Sequence, residues 1–519
     1  MKKRIFKPIS IGSATALIAI SSFVSYAIGL LRDRIIAVNF GTTSATDTYN
    51  ASFLIPDLLF NLFIAGALTA AFLPVFSAQL VKDKKQAFKI ANTILTGGGI
   101  LIAGLALIAF IFMDKIIPAI FSDLDPQMQL DIINMTRLML PSAILFAISN
   151  TLGNILMSYK HFVAYAISPI LYNLGIILGV IFLNENYGIY SAAIGVLIGA
   201  SLHCVIRIID TFKTKYKYKP QLEVKTPEFK KIIKLMIPKT ISLVAWQINL
   251  YIFAIIGIRM IEGGLAAFNF ARNIQSFAVS LFGIAFATAV FPSLSRSFSR
   301  DDKEAYTGHI QKTIQRILFF TIPAMIGIMV LSKPIVDLIL SGGIFDEKST
   351  QLTSLILTFF ALSIPFESLV HILARAFYAR QNTLTPMIIN ITTMTIIGLC
   401  TIFIAPKYGI KWFSLGFSAG MIFQVSMLTI LLRKHLEKFD YKTFLSSLSK
   451  TAIAGVIMAA AVIASAPIEE FINPKLSHLA RIAIGGGIYF IITYLIKSPE
   501  IASVKYVMDR ILKKESNEN

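Results

Sequence analysis

Pro169-Ile170-Leu171-Tyr172-Asn173 returns as Pro386-Met387-Ile388-Ile389-Asn390, and Tyr187-Gly188-Ile189, followed by Gly195 and Gly199, returns as Tyr408-Gly409-Ile410, followed by Gly416 and Gly420. Upstream, Phe72-Leu73-Pro74 ahead of Gln86-Ala87-Phe88 is echoed by Val290-Phe291-Pro292 ahead of Glu304-Ala305-Tyr306. Several anchors at nearly one offset, roughly 217 to 221 residues, mark an internal duplication. The 519-residue chain around them is 55% hydrophobic with a mean hydropathy of +0.72, more apolar surface than a soluble domain can hide from water. A doubled apolar bundle predicts a polytopic membrane protein with two similar lobes facing a central cavity.

Counting apolar runs able to cross a ~30 Å hydrocarbon core, from roughly 9–31 through roughly 50–76 to roughly 479–497, predicts about fourteen spans. The expected fold is therefore an all-α integral membrane protein of fourteen transmembrane helices, arranged as two parallel six-helix lobes and a C-terminal pair. The expected division is 1–212 for the first lobe, 213–231 for a basic cytoplasmic linker, 232–440 for the second lobe, and 441–519 for the last two spans and a tail. Six spans per copy, an even number, gives both copies the same orientation and a pseudo-axis along the membrane normal. The N-terminal run, roughly 9–31, is too long for the core of a signal peptide and reads as an uncleaved first span.

The net charge of +20 would suggest nucleic acid if the cations formed one soluble face. They alternate by loop instead. With the N-terminus inside, inner segments hold roughly 34 of the 48 basic residues and outer loops about ten, a positive-inside asymmetry. Both termini are expected in the cytoplasm, membrane lipids are the expected contact of the surplus charge, and no nucleic-acid partner is expected. The linker around Lys213-Thr214-Lys215-Tyr216-Lys217-Tyr218-Lys219-Pro220 reads as partly an amphipathic segment on the inner leaflet.

Prolines punctuate the spans at Pro56, Pro141, Pro169, Pro238, Pro323, Pro365 and Pro386. Each removes a helical hydrogen bond, and the freed carbonyl must find a partner in a neighbouring helix or a wet cavity. The two cysteines, Cys204 and Cys400, lie in apolar runs, so neither a disulfide framework nor a metal site is expected, and no cofactor motif is present. Acidic outer-loop residues such as Asp123, Asp125, Asp346 and Glu347 have no histidine or metal-ligand spacing around them, which argues against an enzyme.

Ionisable residues within apolar runs are costly and mark function by default. Arg272 stands out because Gly264 to Pro292 is otherwise almost uniformly apolar, with no carboxylate three or four residues away. Its guanidinium fork suits phosphate. Arg32 and Asp33 close the first span, where snorkelling to the interface is the competing explanation. Glu367 and His371 are spaced to share one helix face and could relay protons or simply pair; Arg375 and Arg380 follow them as gating or coupling candidates. His203 and Arg137 lie near helix ends, where interfacial anchoring is the default reading.

The stretch Arg32-Asp33-Arg34-Ile35-Ile36-Ala37 through Phe40-Gly41, with Ala45-Thr46-Asp47, Ile55-Pro56, Gly66-Ala67-Leu68 and Ala71-Phe72-Leu73-Pro74, resembles the opening signature of the MurJ (MviN) lipid II flippases. Phe291-Pro292-Ser293-Leu294-Ser295 and the run from Arg375 to Pro386 agree with it. The resemblance covers essentially the whole chain. It implies a flippase of the multidrug/oligosaccharidyl-lipid/polysaccharide exporter superfamily that moves an undecaprenyl-pyrophosphate-linked saccharide between leaflets by alternating access. It further implies substrate contacts at Arg32, Asp33, Arg272, Ser25 and Asp47, and a cell-membrane location. The expected partners are that lipid-linked saccharide and membrane lipids, with cell-wall synthesis proteins as further candidates, and the chain is expected to be a monomer. The chain departs from the family pattern at Tyr26, Phe60, Asn61 and Ala65, where arginines and a glutamate are usual. Asn61, Tyr26 and Asn50 are the candidates to compensate. Another polyprenyl-linked cargo, or a scaffolding role, is the alternative.

Overall fold

The structure, a computed structural model, describes residues 11–63 and 67–501; the basic N-terminus, Ala65 and the C-terminal tail lie outside these. The helices are α1 (Ile11–Phe40), α2 (Ser44–Ala51), α3 (Leu54–Phe63), α4 (Ala67–Lys82), α5 (Lys84–Ile120), α6 (Pro126–Ser158), α7 (Val163–Tyr187), α8 (Tyr190–Thr211) and α9 (Pro227–Met260). They continue as α10 (Gly264–Ala278), a π-helical turn (Val279–Ile284), α11 (Ala285–Ser299), α12 (Lys303–Val330), α13 (Ser332–Leu340) and α14 (Glu347–Ala361). The last are α15 (Ser363–Ala379), α16 (Leu384–Phe403), α17 (Ala405–Tyr408), α18 (Lys411–Arg433), α19 (Tyr441–Ala464), α20 (Ile468–Phe471) and α21 (Pro474–Leu495).

Among the described residues eleven helices are long and apolar enough to cross a membrane, or twelve when α14 and α15, bent by 45°, count as one span. The chain is thus an all-α, multi-pass membrane protein, and the count of fourteen is not reached within these residues. The second apolar run, expected as one span, is interrupted between α2 and α3, and residues 64–66, between α3 and α4, lie outside the described residues. Pro56 cannot donate to the Ser52 carbonyl four residues back, and α2 stops there. Pro365 likewise cannot donate to the Ala361 carbonyl, where α14 gives way to α15.

Two compact units form: residues up to Ala266 with Gly342–Asp346, and Ala267–Ser341 with the residues from Glu347 onward. In the first unit α9 packs on α3 and α4. Ala254 and Ile258 share a buried cluster with Leu54 and Leu59, and the Tyr251 hydroxyl donates to the Leu54 carbonyl. The turn Gly342–Asp346 joins this unit through the Ile344 N–H on the Val38 carbonyl, 2.9 Å, and a Cβ on Gly343 (φ 54°) would strike that same oxygen. In the second unit α19 lies against α12 and α21, with Met458 and Tyr489 packed on Phe319.

The repeated glycines serve close helix packing. A Cβ on Gly175 would lie 2.3 Å from Gly199, and one on Gly179 would lie 2.5 Å from Gly195, so α7 and α8 meet backbone to backbone. In the second copy Gly420 faces the Ile397 side chain and Gly416 faces Cys400. The glycines of the Tyr-Gly-Ile segments, Gly188 and Gly409, both have positive φ.

Carbonyls freed by proline find side-chain donors, on another helix or on their own. Thr136 Oγ1 donates to the Ser52 carbonyl ahead of Pro56 (3.2 Å), and Tyr489 Oη donates to the Phe319 carbonyl ahead of Pro323 (2.6 Å). The Tyr165 carbonyl ahead of Pro169 takes the neighbouring Ser168 hydroxyl (3.1 Å). Tyr489→Phe should therefore lower stability by about 0.5–2 kcal/mol, because it orphans a buried carbonyl. Thermal unfolding of the purified protein checks this, with the exposed Tyr494 replaced by Phe as a control expected to change nothing.

Residues 213–226 of the basic linker form an extended strap on α5, and the linker's last residues open α9. Its backbone N–H groups at Lys219, Gln221 and Glu223 bond the side chains of Asn92, Thr96 and Thr93, and buried Tyr216 donates to Asn92 at 2.6 Å. Pro220 interrupts any helix, and the polar face of α5 supplies acceptors for the strap's backbone.

Candidate functional site

Two polar clusters hold the candidates, one in each unit. In the first, Arg32 Nε and Nη2 both reach Asp33 Oδ1 (3.1 and 2.7 Å), and Nη1 reaches Asn173 Oδ1 (3.0 Å). Asn173 is the asparagine of the repeated Pro-x-x-x-Asn segment. Asp33 is buried, so Arg32 is held in place rather than snorkelling freely. A guanidinium has five N–H groups, and these bonds use three, leaving one donor on each terminal nitrogen. Ser25 is half-buried one turn and more before it, its carbonyl 3.5 Å from Asn173 Nδ2.

Asp47 is placed differently. It is 1% exposed, and its two oxygens accept the backbone N–H groups of Gly263 and Ala266, each at 2.8 Å. It therefore caps the start of α10, where the first turn leaves N–H groups without helical partners. Glu262 performs the converse at the start of α2, accepting from the Ser44 hydroxyl and N–H. Sequence spacing could not show this, because the capped helix starts more than two hundred residues downstream.

Of the positions departing from the family pattern, Phe60 packs edge-on against Phe146 and joins the α3–α9 cluster. Asn61 donates to the Asp57 carbonyl and to Gln247 Oε1, both at 2.9 Å. Asn50 donates to the Thr46 carbonyl of its own helix, and Tyr26 is exposed. Gln247, a site neighbour that the sequence did not single out, stands with Asn249 as one of two amides in an apolar run.

The second cluster lies where α10 meets α15. Arg272 is half-buried and within electrostatic range of Glu367. One turn along α10, Gln275 Nε2 bridges Glu367 Oε2 (2.7 Å) and Ser363 Oγ (2.8 Å). The carboxylate missing from Arg272's own helix is thus supplied by another. The π-helical turn that follows brings Gly283 so close to Ser368 that a Cβ would approach within 2.7 Å, and such turns frequently accompany functional sites.

Ser363, Glu367, His371 and Arg375 recur every fourth residue along α15, one polar stripe on an apolar helix. The spacing of Glu367 and His371 does not produce a bond between them, since the Glu367 carboxylate takes Gln275 instead. Arg375 donates to the His371 carbonyl (3.3 Å) and to Thr288 Oγ1 (2.9 Å), and Arg380 stacks on Phe298, its guanidinium carbon 5.5 Å from the ring centroid. His203 is buried rather than interfacial, bonded to Ser149 at 2.8 Å; the neighbouring Ser168 and Ser149 groups also hold the buried Arg207. Arg137 pairs with Asp114 at 2.6 Å.

This fold is shared with a solved multidrug resistance MATE family transporter of the MOP superfamily, with a TM-score of 0.67 at 15% identity, covering 79% of this chain and 94% of that one. A structure of the lipid II flippase MurJ in an inward closed conformation superposes with a TM-score of 0.80 at 26% identity, over 94% of this chain and all of that one. The family model described as lipid II flippase MurJ matches residues 36–474. The chain belongs to that family. Its relatives include a probable lipid II flippase MurJ of Rickettsia prowazekii, 30% identical over 73% of this chain and 75% of the relative. The lipid II flippase MurJ of Burkholderia cenocepacia is 26% identical over 81% of this chain and 83% of its own length.

Proposed function

We propose that this chain is a flippase that carries lipid II, the undecaprenyl-pyrophosphate-linked peptidoglycan precursor, from the inner to the outer leaflet by alternating access of its two repeated lobes. The observation that carries this reading is the family match over residues 36–474, joined to a fold shared along almost the whole chain. Arg272, with Gln275 and Glu367, and Arg32, with two N–H donors left over, are the groups we assign to the pyrophosphate, because guanidinium binds phosphate oxygens through paired hydrogen bonds. The protein acts as a monomer in the cell membrane with both termini in the cytoplasm, and cell-wall synthesis proteins are its further partners.

A second reading, a different polyprenyl-linked saccharide as cargo, is favoured by Phe60 and Asn61. Packing and a neutral amide pair occupy the positions where the family usually places arginines. Cells depleted of their own flippase test both. Growth restored by this chain, with lipid II accessible to an external probe, supports the first; a protein present in the membrane but unable to restore either sinks it and leaves the second.

A further inference from the structure

The two copies differ where α18 ends. Taking Gln381 and Lys160 as equivalent, both with left-handed φ (59° and 61°), Arg380 stands for Tyr159, and Glu437 for Tyr216. In the first copy Tyr216 is 4% exposed, edge-on to Phe88, and fills the space between the strap and α5. In the second copy the chain after α18 follows the same path, with Glu437 N–H on Thr307 Oγ1 and Asp440 N–H on Gln311 Oε1. Glu437 is exposed there, and an open pocket of about 180 Å3 remains.

Charges of both signs line this pocket. Asp302 accepts the Ala305 N–H at the start of α12, and Glu437 pairs with Lys303 at 3.1 Å, where Asp301 also acts on the ammonium. Arg380, Lys434 and His435 also line it. Arg380 has its guanidinium over the Phe298 ring and forms no ion pair among the described residues. The His435 imidazole is held below its usual range, first by partial desolvation and then by the Arg380 and Lys434 charges.

We infer that this pocket binds a phosphate-bearing anion, held by Arg380 and Lys434 beside His435. A phosphate oxygen offers the acceptor that a planar guanidinium on an aromatic platform and an adjacent ammonium lack. The group can come from an anionic lipid headgroup or from a soluble phosphate ester. Neither source depends on the transported cargo, so the inference stands apart from the flippase reading.

The test is a histidine NMR titration of the full chain in lipid nanodiscs, with the His435 signal assigned through His435→Asn. Phosphatidylglycerol discs, or phosphatidylcholine discs with millimolar glycerol phosphate, are compared with phosphatidylcholine discs in sodium chloride of equal ionic strength. A bound anion should raise the His435 midpoint by roughly half a pH unit or more, because it favours the imidazolium. Lys434→Gln should weaken the binding about tenfold, and Glu437→Tyr, which fills the space as in the first copy, should abolish it. A rise with phosphatidylglycerol alone identifies the headgroup as the source, and one with glycerol phosphate alone identifies a soluble ester. A rise with both assigns recognition to the phosphate itself. No rise in either, or a rise that survives both substitutions unchanged, overturns the inference.

Discussion

Arg272→Ala is expected to abolish growth of cells that depend on this chain as their flippase, with its membrane abundance unchanged. Charge-assisted hydrogen bonds contribute about 1.5–3 kcal/mol each, so losing one or two lowers transport by roughly tenfold to more than a hundredfold. Arg272→Lys keeps the charge without the planar fork and should recover only part of the activity. The nearby Glu367 carboxylate offers a rival explanation, in which Arg272 merely offsets a buried anion. The double variant Arg272→Ala with Glu367→Gln separates the two. If the arginine binds cargo the double variant stays inactive, whereas recovered growth would show that charge balance was its whole role.

Gly199→Val carries the largest expected effect on the fold. A Cβ there would lie 2.3 Å from the Tyr172 carbonyl oxygen and would face α7 backbone, which has no rotamer to move aside. The helices would have to separate by an ångström or more along an interface built on Gly175, Gly179, Gly195 and Gly199. The expected loss is at least ~3 kcal/mol, at or beyond the usual range for overpacking because backbone rather than side chains must shift. It should be read as failure to accumulate in the membrane or as a large fall in unfolding temperature. Gly487→Ala is the control. Nothing lies within 4 Å of a Cβ at that position, and alanine's better helix propensity predicts no loss. Equal damage from both substitutions would refute the backbone-contact explanation.

The prolines and glycines show what can be read along a chain. Pro56, Pro169 and Pro323 require a partner for a carbonyl four residues back, and that requirement holds in any tertiary context. Which group answers it does not follow from the sequence. Thr136 and Tyr489 come from helices far along the chain, whereas Ser168 sits beside its proline. Asp47 makes the same point from the other side. The family resemblance implied a substrate contact at Asp47, and the structure shows both its oxygens capping a helix start more than two hundred residues away. The pair Glu367 and His371 had the right spacing for contact, but Gln275 on another helix competes better for the carboxylate.

By itself the sequence determined that this is a doubled, helical membrane protein, because hydropathy, charge alternation and repeated proline and glycine anchors are one-dimensional signals set by the bilayer and by backbone chemistry. It also singled out Arg272 and Arg32, because a charge in an apolar run stands out without knowledge of its neighbours. Only the tertiary structure decided which groups surround them: the Glu367 carboxylate, bonded by Gln275, within electrostatic range of the first, and Asp33 and Asn173 bonded to the second. It also decided that the basic linker is a strap on α5 and that the second copy keeps open a pocket which the first fills with Tyr216. The physical reason is that hydrogen bonds and ion pairs act over a few ångströms of space, whichever residues the fold brings there, while burial in a membrane acts on each segment separately.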